Sequence, residues 1–178
     1  MRLFAAINLP EELKSRLAGA VGGINAAGLK KVGPENLHLT MKFLGEVDEK
    51  KVEFIKQKLG EIKAEPFKVS LGGIGFFPNE DYIKVVWVGV SEGGQEIINL
   101  QKEMDSKLSE IGFAKEKNFE PHLTIARVNF LKDKVGLKKM LQMLDFSGGF
   151  EARSFDLMQS TLTPKGPVYE KLREFLLE

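Results

Sequence analysis

Apolar and polar positions along the chain follow two rhythms, one near 3.6 residues and one of 2, and these divide it into short segments. Residues 3–9 form a short apolar run, read as a buried strand. Pro10-Glu11-Glu12 then opens a helix, its acidic start suited to the positive end of the helix dipole. Leu13, Leu17, Ala20 and Val21 recur at helical spacing until Gly22-Gly23 stops the run. Residues 30–36 are turn-rich and lead into a strand over 37–44. Asp48 is placed to cap a helix over 49–62, with Val52, Ile55, Leu59 and Ile62 on its apolar face. Residues 67–77 alternate only in part and carry Gly72, Gly73 and Gly75, which predicts a strand with a bulge or bend. After a turn at 78–81, residues 82–90 (Ile83, Val85, Val86, Trp87, Val88) read as a strand.

The plan then repeats. A helix over 95–111 places Ile97, Ile98, Leu100, Gln101, Met104 and Leu108 on one buried side, and Gly112 ends it. A polar loop at 114–120 feeds a strand over 122–130, followed by a helix over 133–144 and extended chain over 150–162. A turn at 163–167 precedes the terminal segment 169–177. Shifted by 84 positions, 11–21 falls on 95–105, 53–62 on 137–146 and 67–77 on 151–161, like element on like. Each half therefore reads strand–helix–strand–helix–strand. The pattern predicts one bilobal domain built from a repeat of about 1–81 and 82–178, with exchange of strands between the lobes left open.

Composition narrows the function classes. At 178 residues, 43% hydrophobic and 29% charged, the chain has ample material for a core. A net charge of +1 excludes the broad basic footprint of a duplex-binding protein, so a nucleic-acid ligand would be gripped locally, at a strand end. The absence of cysteine excludes disulfides, thiolate zinc sites and a cysteine nucleophile. The first apolar run is shorter than a signal peptide's and no run is long enough to span a membrane, so a cytoplasmic enzyme or binding protein is expected.

The candidate chemistry lies in two strands. The chain has two histidines, His38 and His122, and each is followed by Leu and then Thr. With only four threonines, chance would place one two positions after each histidine roughly once in two thousand sequences. On a strand, residues i and i+2 share a face. His38, Thr40 and Lys42 should then share one side while Leu37, Leu39, Met41 and Phe43 bury the other, and His122 and Thr124 should share a side opposite Leu123 and Ile125. Two such strands related by a pseudo-twofold axis bring two imidazoles and two hydroxyls around one cleft. That set suits a phosphodiester: imidazole can remove or deliver a proton at neutral pH, and hydroxyls can donate to the non-bridging oxygens. No carboxylate cluster at ligand spacing accompanies the histidines, so neither a metal nor another cofactor is expected. Lys42 reads equally as a phosphate-attracting group or a solvated strand residue. Phe43 and Arg127 each stand five positions after a histidine, which an ideal strand turns away from the site; their use, in base stacking and phosphate pairing, needs a bulge or a strand end. The glycines at 72, 73 and 75 do not open a helix and are not read as a phosphate loop.

These residues resemble a known family. His38-Leu39-Thr40-Met41-Lys42-Phe43-Leu44-Gly45 and His122-Leu123-Thr124-Ile125-Ala126-Arg127 are similar to the paired His-x-Thr signatures of the two-histidine phosphoesterase superfamily, and most similar to its RNA 2′,3′-cyclic phosphodiesterase, or LigT-like 2′-5′ RNA ligase, branch. The likeness extends to Arg2-Leu3-Phe4-Ala5-Ala6-Ile7, to Pro34-Glu35-Asn36-Leu37 and to residues 169–175. It implies an α+β, bilobal fold with two pseudo-symmetric antiparallel sheets and flanking helices around a central groove. It also implies metal-independent hydrolysis of RNA 2′,3′-cyclic phosphate ends to 2′-phosphomonoesters, with His38 the proton donor, His122 the proton acceptor, and Thr40 and Thr124 on the phosphate oxygens. By the residues alone the two histidines are equivalent. Reversed, the reaction would join a cyclic-phosphate end to a 5′-hydroxyl, with tRNA halves a substrate the family suggests, and a monomer is expected. The rival readings are a phosphodiesterase for small cyclic nucleotides, a protein that is mainly a ligase, and a non-catalytic module that binds RNA ends.

Overall fold

The computed structural model describes residues 1–144, 146–164 and 166–178. Its strands are β1 (Arg2–Asn8), β2 (Leu29–Lys31), β3 (His38–Glu46), β4 (Phe67–Pro78), β5 (Ile83–Glu92), β6 (His122–Val128), β7 (Gly148–Ala152), β8 (Ser154–Thr163) and β9 (Gly166–Leu176). The helices are α1 (Glu11–Gly22), α2 (Val52–Gly60), α3 (Gly94–Ser109) and α4 (Lys134–Gln142). Through residue 81 their order is β1-α1-β2-β3-α2-β4, and from residue 82 it is β5-α3-β6-α4-β7-β8-β9. The strand and helix types follow the periodicity, while each half carries strands beyond the five elements expected. The differences are local. The helix expected over 49–62 begins as a 3-10 turn at Glu49–Lys51, where the Asp48 carboxylate caps the Lys50 amide at 2.9 Å. A three-residue strand, β2, lies within the stretch read as turns. The single extended segment expected over 150–162 is two strands that part at Arg153. Of the turn expected at 163–167, Lys165 lies outside the described residues.

All pairings are antiparallel, in the order β7-β4-β5-β6-β3-β1-β8-β9, with β2 on β6. The two antiparallel sheets anticipated are the two wings of this one sheet. They join through a single backbone pair, Leu39 opposite Leu123 between β3 and β6. The third long strand of each half crosses over: β4 pairs with β5, and β8 pairs with β1.

The helices cover one face of the sheet. Leu13, Leu17 and Val21 of α1, Ile55 and Leu59 of α2, Ile97, Leu100, Met104 and Leu108 of α3, and Leu137 and Leu141 of α4 meet Leu39, Met41, Leu123, Ile125, Val86 and Val88 of the strands in one core. Burying side chains of this kind contributes roughly 1.5–3 kcal/mol each before entropy is counted. The opposite face carries no helix among the described residues, and the curl of the sheet makes it the groove face. It holds a small apolar cluster of Phe4, Ala6 and Met158 with Tyr169 and, beside His122, the rings of Phe77 and Trp87. Among the described residues no helix is long and apolar enough to cross a membrane.

Candidate active site

The seam between the wings is where both histidines fall. Because Leu39 and Leu123 are paired and buried, their strand neighbours His38, Thr40, His122 and Thr124 all point to the groove face, each half-buried. In that register His38 stands across from Thr124 and Thr40 across from His122. Among the described residues neither threonine hydroxyl is engaged by another protein group.

The two imidazoles are held alike. His38 Nδ1–H donates to the Asn36 carbonyl at 2.8 Å, and His122 Nδ1–H donates to the Glu120 carbonyl at 2.7 Å. A carbonyl can only accept, so both rings carry their proton on Nδ1 when neutral and turn an unprotonated Nε2 away from their own strand. Aromatic rings brace each one. Phe4 lies 5.0 Å from His38, and Tyr169 meets it edge-on at 5.3 Å. Phe77 meets His122 edge-on at 4.8 Å, with Trp87 at 6.0 Å. Trp87 lies flat across β4 because Gly75 leaves room for it: a Cβ there would be 2.1 Å from the indole Cζ2. The Asn36 amide also donates to the Pro167 carbonyl at 3.1 Å, tying the β8–β9 hairpin to the backbone that holds His38.

Burial pushes the His38 imidazole down to about 4, against its hydrogen bond to Asn36, and the charges of Lys14, Arg127 and His122 lower it further. His38 is therefore neutral at pH 7 in the free protein. Burial pushes the Tyr169 hydroxyl up, against the opposing charges of Arg127 and Arg2, so it too stays neutral. Among the described residues no three His, Asp or Glu side chains converge as a metal site would require.

Beyond the threonines both strands depart from strict alternation, at equivalent places. Thr40 pairs with Ala6 and Lys42 with Ala5, so Met41 is an extra residue in β3. Thr124 pairs with Trp87 and Ala126 with Val86, so Ile125 is an extra residue in β6. Each bulge reverses the side-chain sequence after it. Phe43, expected on the core side, is instead 64% exposed, with its ring 6.2 Å from Phe4 on the groove face. Arg127 is likewise exposed on that face, close enough to His38 and Tyr169 for its charge to bias both. Lys42 goes the other way, which corrects the expectation that it shares a face with His38 and Thr40. Its ammonium is buried on the helix side, paired with the Asp105 carboxylate and donating to the Ala114 carbonyl at 2.7 Å. Asp105 also accepts from Gln101 at 2.9 Å and from the Glu116 amide at 2.8 Å. Burial alone would raise this carboxyl, but those donors and the Lys42 charge together hold it below the usual carboxylate range. Lys42 is neither a solvated strand residue nor within the groove.

Several residues around the histidines escaped the sequence reading. Tyr169 and Phe4 fall in stretches that carry the family likeness, but nothing in their spacing links them to His38. Phe77 and Trp87 come from strands of opposite halves of the chain, and only the β4–β5 pairing unites them at His122.

Comparison with known proteins agrees with this geometry. The profile described as LigT like Phosphoesterase matches the chain twice, over residues 7–87 and 88–169, one histidine motif in each. A protein of Methanocaldococcus jannaschii named RNA 2′,3′-cyclic phosphodiesterase is 44% identical over 178 residues, covering 98% of this chain and 100% of its own. A protein of the same name from Archaeoglobus fulgidus is 40% identical over 176 residues, covering 98% and 99%. Among solved structures, a Thermus thermophilus protein superposes with a TM-score of 0.84 at 31% identity, covering 99% of this chain and 98% of that one. Escherichia coli LigT complexed with 3′-AMP superposes with a TM-score of 0.81 at 25% identity, covering 99% and 97%. Two His-x-Thr strands meeting at one seam, a profile matched across both halves, and full-length relatives together place this chain in the LigT-like phosphoesterase family.

Proposed function

We propose that this protein opens the 2′,3′-cyclic phosphate at RNA 3′ ends, by paired histidine acid–base catalysis without a metal, to leave a 2′-phosphomonoester and a free 3′-hydroxyl. The observation that carries the reading is the matched pair of imidazoles, each fixed through Nδ1 to a backbone carbonyl and each offering Nε2 to the same groove. Relatives named for this activity and the LigT complex with 3′-AMP support it.

In this scheme the phosphate sits at the seam. His122 Nε2 takes a proton from the attacking water as the new P–O bond forms. His38, protonated on Nε2, delivers that proton to the 3′ oxygen as the P–O3′ bond breaks. Thr40 and Thr124 donate to the non-bridging oxygens, where charge accumulates. His38 is neutral in the free protein, and the anionic substrate is what draws a proton onto it, since an opposite charge at close range favours the imidazolium. In this scheme Phe43, exposed on the groove face, stacks on the terminal base and Arg127 pairs with the phosphate, while Lys42, buried against Asp105, has no part. The same groups, run backwards, would make a 2′-5′ linkage, as between tRNA halves. The proposal also takes residues 1–81 and 82–178 as two copies of one unit, and the protein as a cytoplasmic monomer.

The test is turnover of a 2′,3′-cyclic-phosphate oligonucleotide in EDTA. His38→Ala and His122→Ala should each lower the rate by roughly 10²–10⁴-fold while binding of the end persists. Wild-type protein that binds such ends and never opens the ring would refute the proposal in favour of a binding module.

A further inference from the structure

Strand β2 does one thing that the fold does not explain. It sets Lys30 directly opposite Arg127 of β6. Directly opposed residues in an antiparallel pair project on the same face, with Cα atoms about 4.5–5.5 Å apart, and like charges so placed destabilise the ladder. The register is nonetheless clamped at both ends. The Asn129 amide donates to the Gly28 carbonyl at 2.9 Å, and the Val32 amide donates to the Ile125 carbonyl at 2.9 Å. Gly28 itself holds φ +82°, and a Cβ there would lie 1.9 Å from the Phe130 carbonyl oxygen, so glycine is required for β2 to lie this close to the chain beyond β6.

Among the described residues no carboxylate reaches Lys30 or Arg127. The adjacent Lys31, on the other side of the strand, has partners in the Gly22 carbonyl at 2.9 Å and the Asn25 side chain at 3.4 Å. Arg127 acts on His38 and Tyr169, whereas Lys30 reaches toward the β8–β9 hairpin: a Cβ on Gly166 would lie 4.0 Å from its Nζ. The two cations form a ledge running outward from the histidines. Two like charges held in register with no carboxylate partner among the described residues concentrate positive potential and attract an anion.

We propose that Lys30, beside Arg127, is a second anion subsite that takes the phosphodiester on the 5′ side of the terminal nucleoside. The preferred substrate is then an oligonucleotide end rather than a mononucleoside cyclic phosphate. This rests on the reading of the groove as a cyclic-phosphate site and extends it by one nucleotide. A single lysine–phosphate contact is charge-assisted and salt-sensitive, so its loss is visible in both affinity and ionic-strength dependence.

The experiment compares Lys30→Ala with wild type on two substrates, a nucleoside 2′,3′-cyclic phosphate and a short RNA ending in one, over a range of salt. For the RNA, kcat/KM should fall about tenfold at low salt, and its log–log salt dependence should become shallower by about 0.7. The mononucleoside value should not change, and Lys31→Ala should alter neither. Equal losses on both substrates, or no loss on either, would overturn the subsite. A melting temperature lowered along with both activities would point to a merely structural lysine and overturn it as well. Wild-type protein that turned over neither substrate would overturn the cyclic-phosphate reading itself and the subsite with it.

Discussion

His38 shows how much chemistry one side chain's surroundings decide. The ring is buried between Phe4 and Tyr169, and the charges of Lys14 and Arg127 bear on it, so its charged form is disfavoured in the folded protein. The unfolded chain binds its proton near the ordinary value of 6.5 and the folded chain only near 4. Between those values the unfolded state holds more protons, so stability rises with pH across the window: full above about 6.5, and lost as pH falls toward about 4. We therefore expect the melting temperature to drop between pH 6.5 and 4 and expect His38→Gln to flatten that dependence, which a calorimetric pH series would check. If His38→Gln kept the wild-type slope, the proton would have to reside elsewhere. That His38 and His122 are candidates for paired chemistry is read from their shared Leu-Thr context; that His38 is the one driven neutral is not. Burial and the approach of Lys14 and Arg127 come from residues distant in the chain.

Elements matter most where they break their own rule. Strict alternation would have put Lys42 in the groove and Phe43 in the core, and the bulges at Met41 and Ile125 reverse both placements. Nothing in the sequence marks them, because Met41 and Ile125 are ordinary apolar strand residues and the extra position exists only relative to the neighbouring strand. The consequence for Lys42 is a buried ion pair with Asp105 whose carboxylate also anchors the loop leading to His122. Removing one member of such a pair leaves an uncompensated charge, whereas removing both is close to neutral. Lys42→Met should accordingly cost about 3–5 kcal/mol, and Lys42→Met combined with Asp105→Leu should recover most of it, as measured by denaturant unfolding. A Lys42→Met variant as stable as wild type would mean that the ammonium is solvated rather than buried against Asp105.

On the scale of the whole molecule, the crossing of β4 and β8 makes the two wings interdependent. Each wing contains strands from both halves of the chain, so neither half can complete a sheet alone. Residues 1–81 and 82–178 produced as separate polypeptides should each lack stable structure and should regain the strand signal in circular dichroism when mixed. Independent folding of either fragment would show that the exchanged pairings β4–β5 and β1–β8 are dispensable. Most of the helices and long strands and the two histidine motifs were readable in advance, because hydrophobic period and turn residues act locally; β2 and the division of β7 from β8 were not. Which wing owns a strand, where the chain parts at Arg153, which way Phe43, Arg127 and Lys42 face, and that Lys30 stands against Arg127 were decided only by tertiary structure. Those outcomes depend on pairing partners far apart in the chain, and a local pattern carries no record of its distant neighbour.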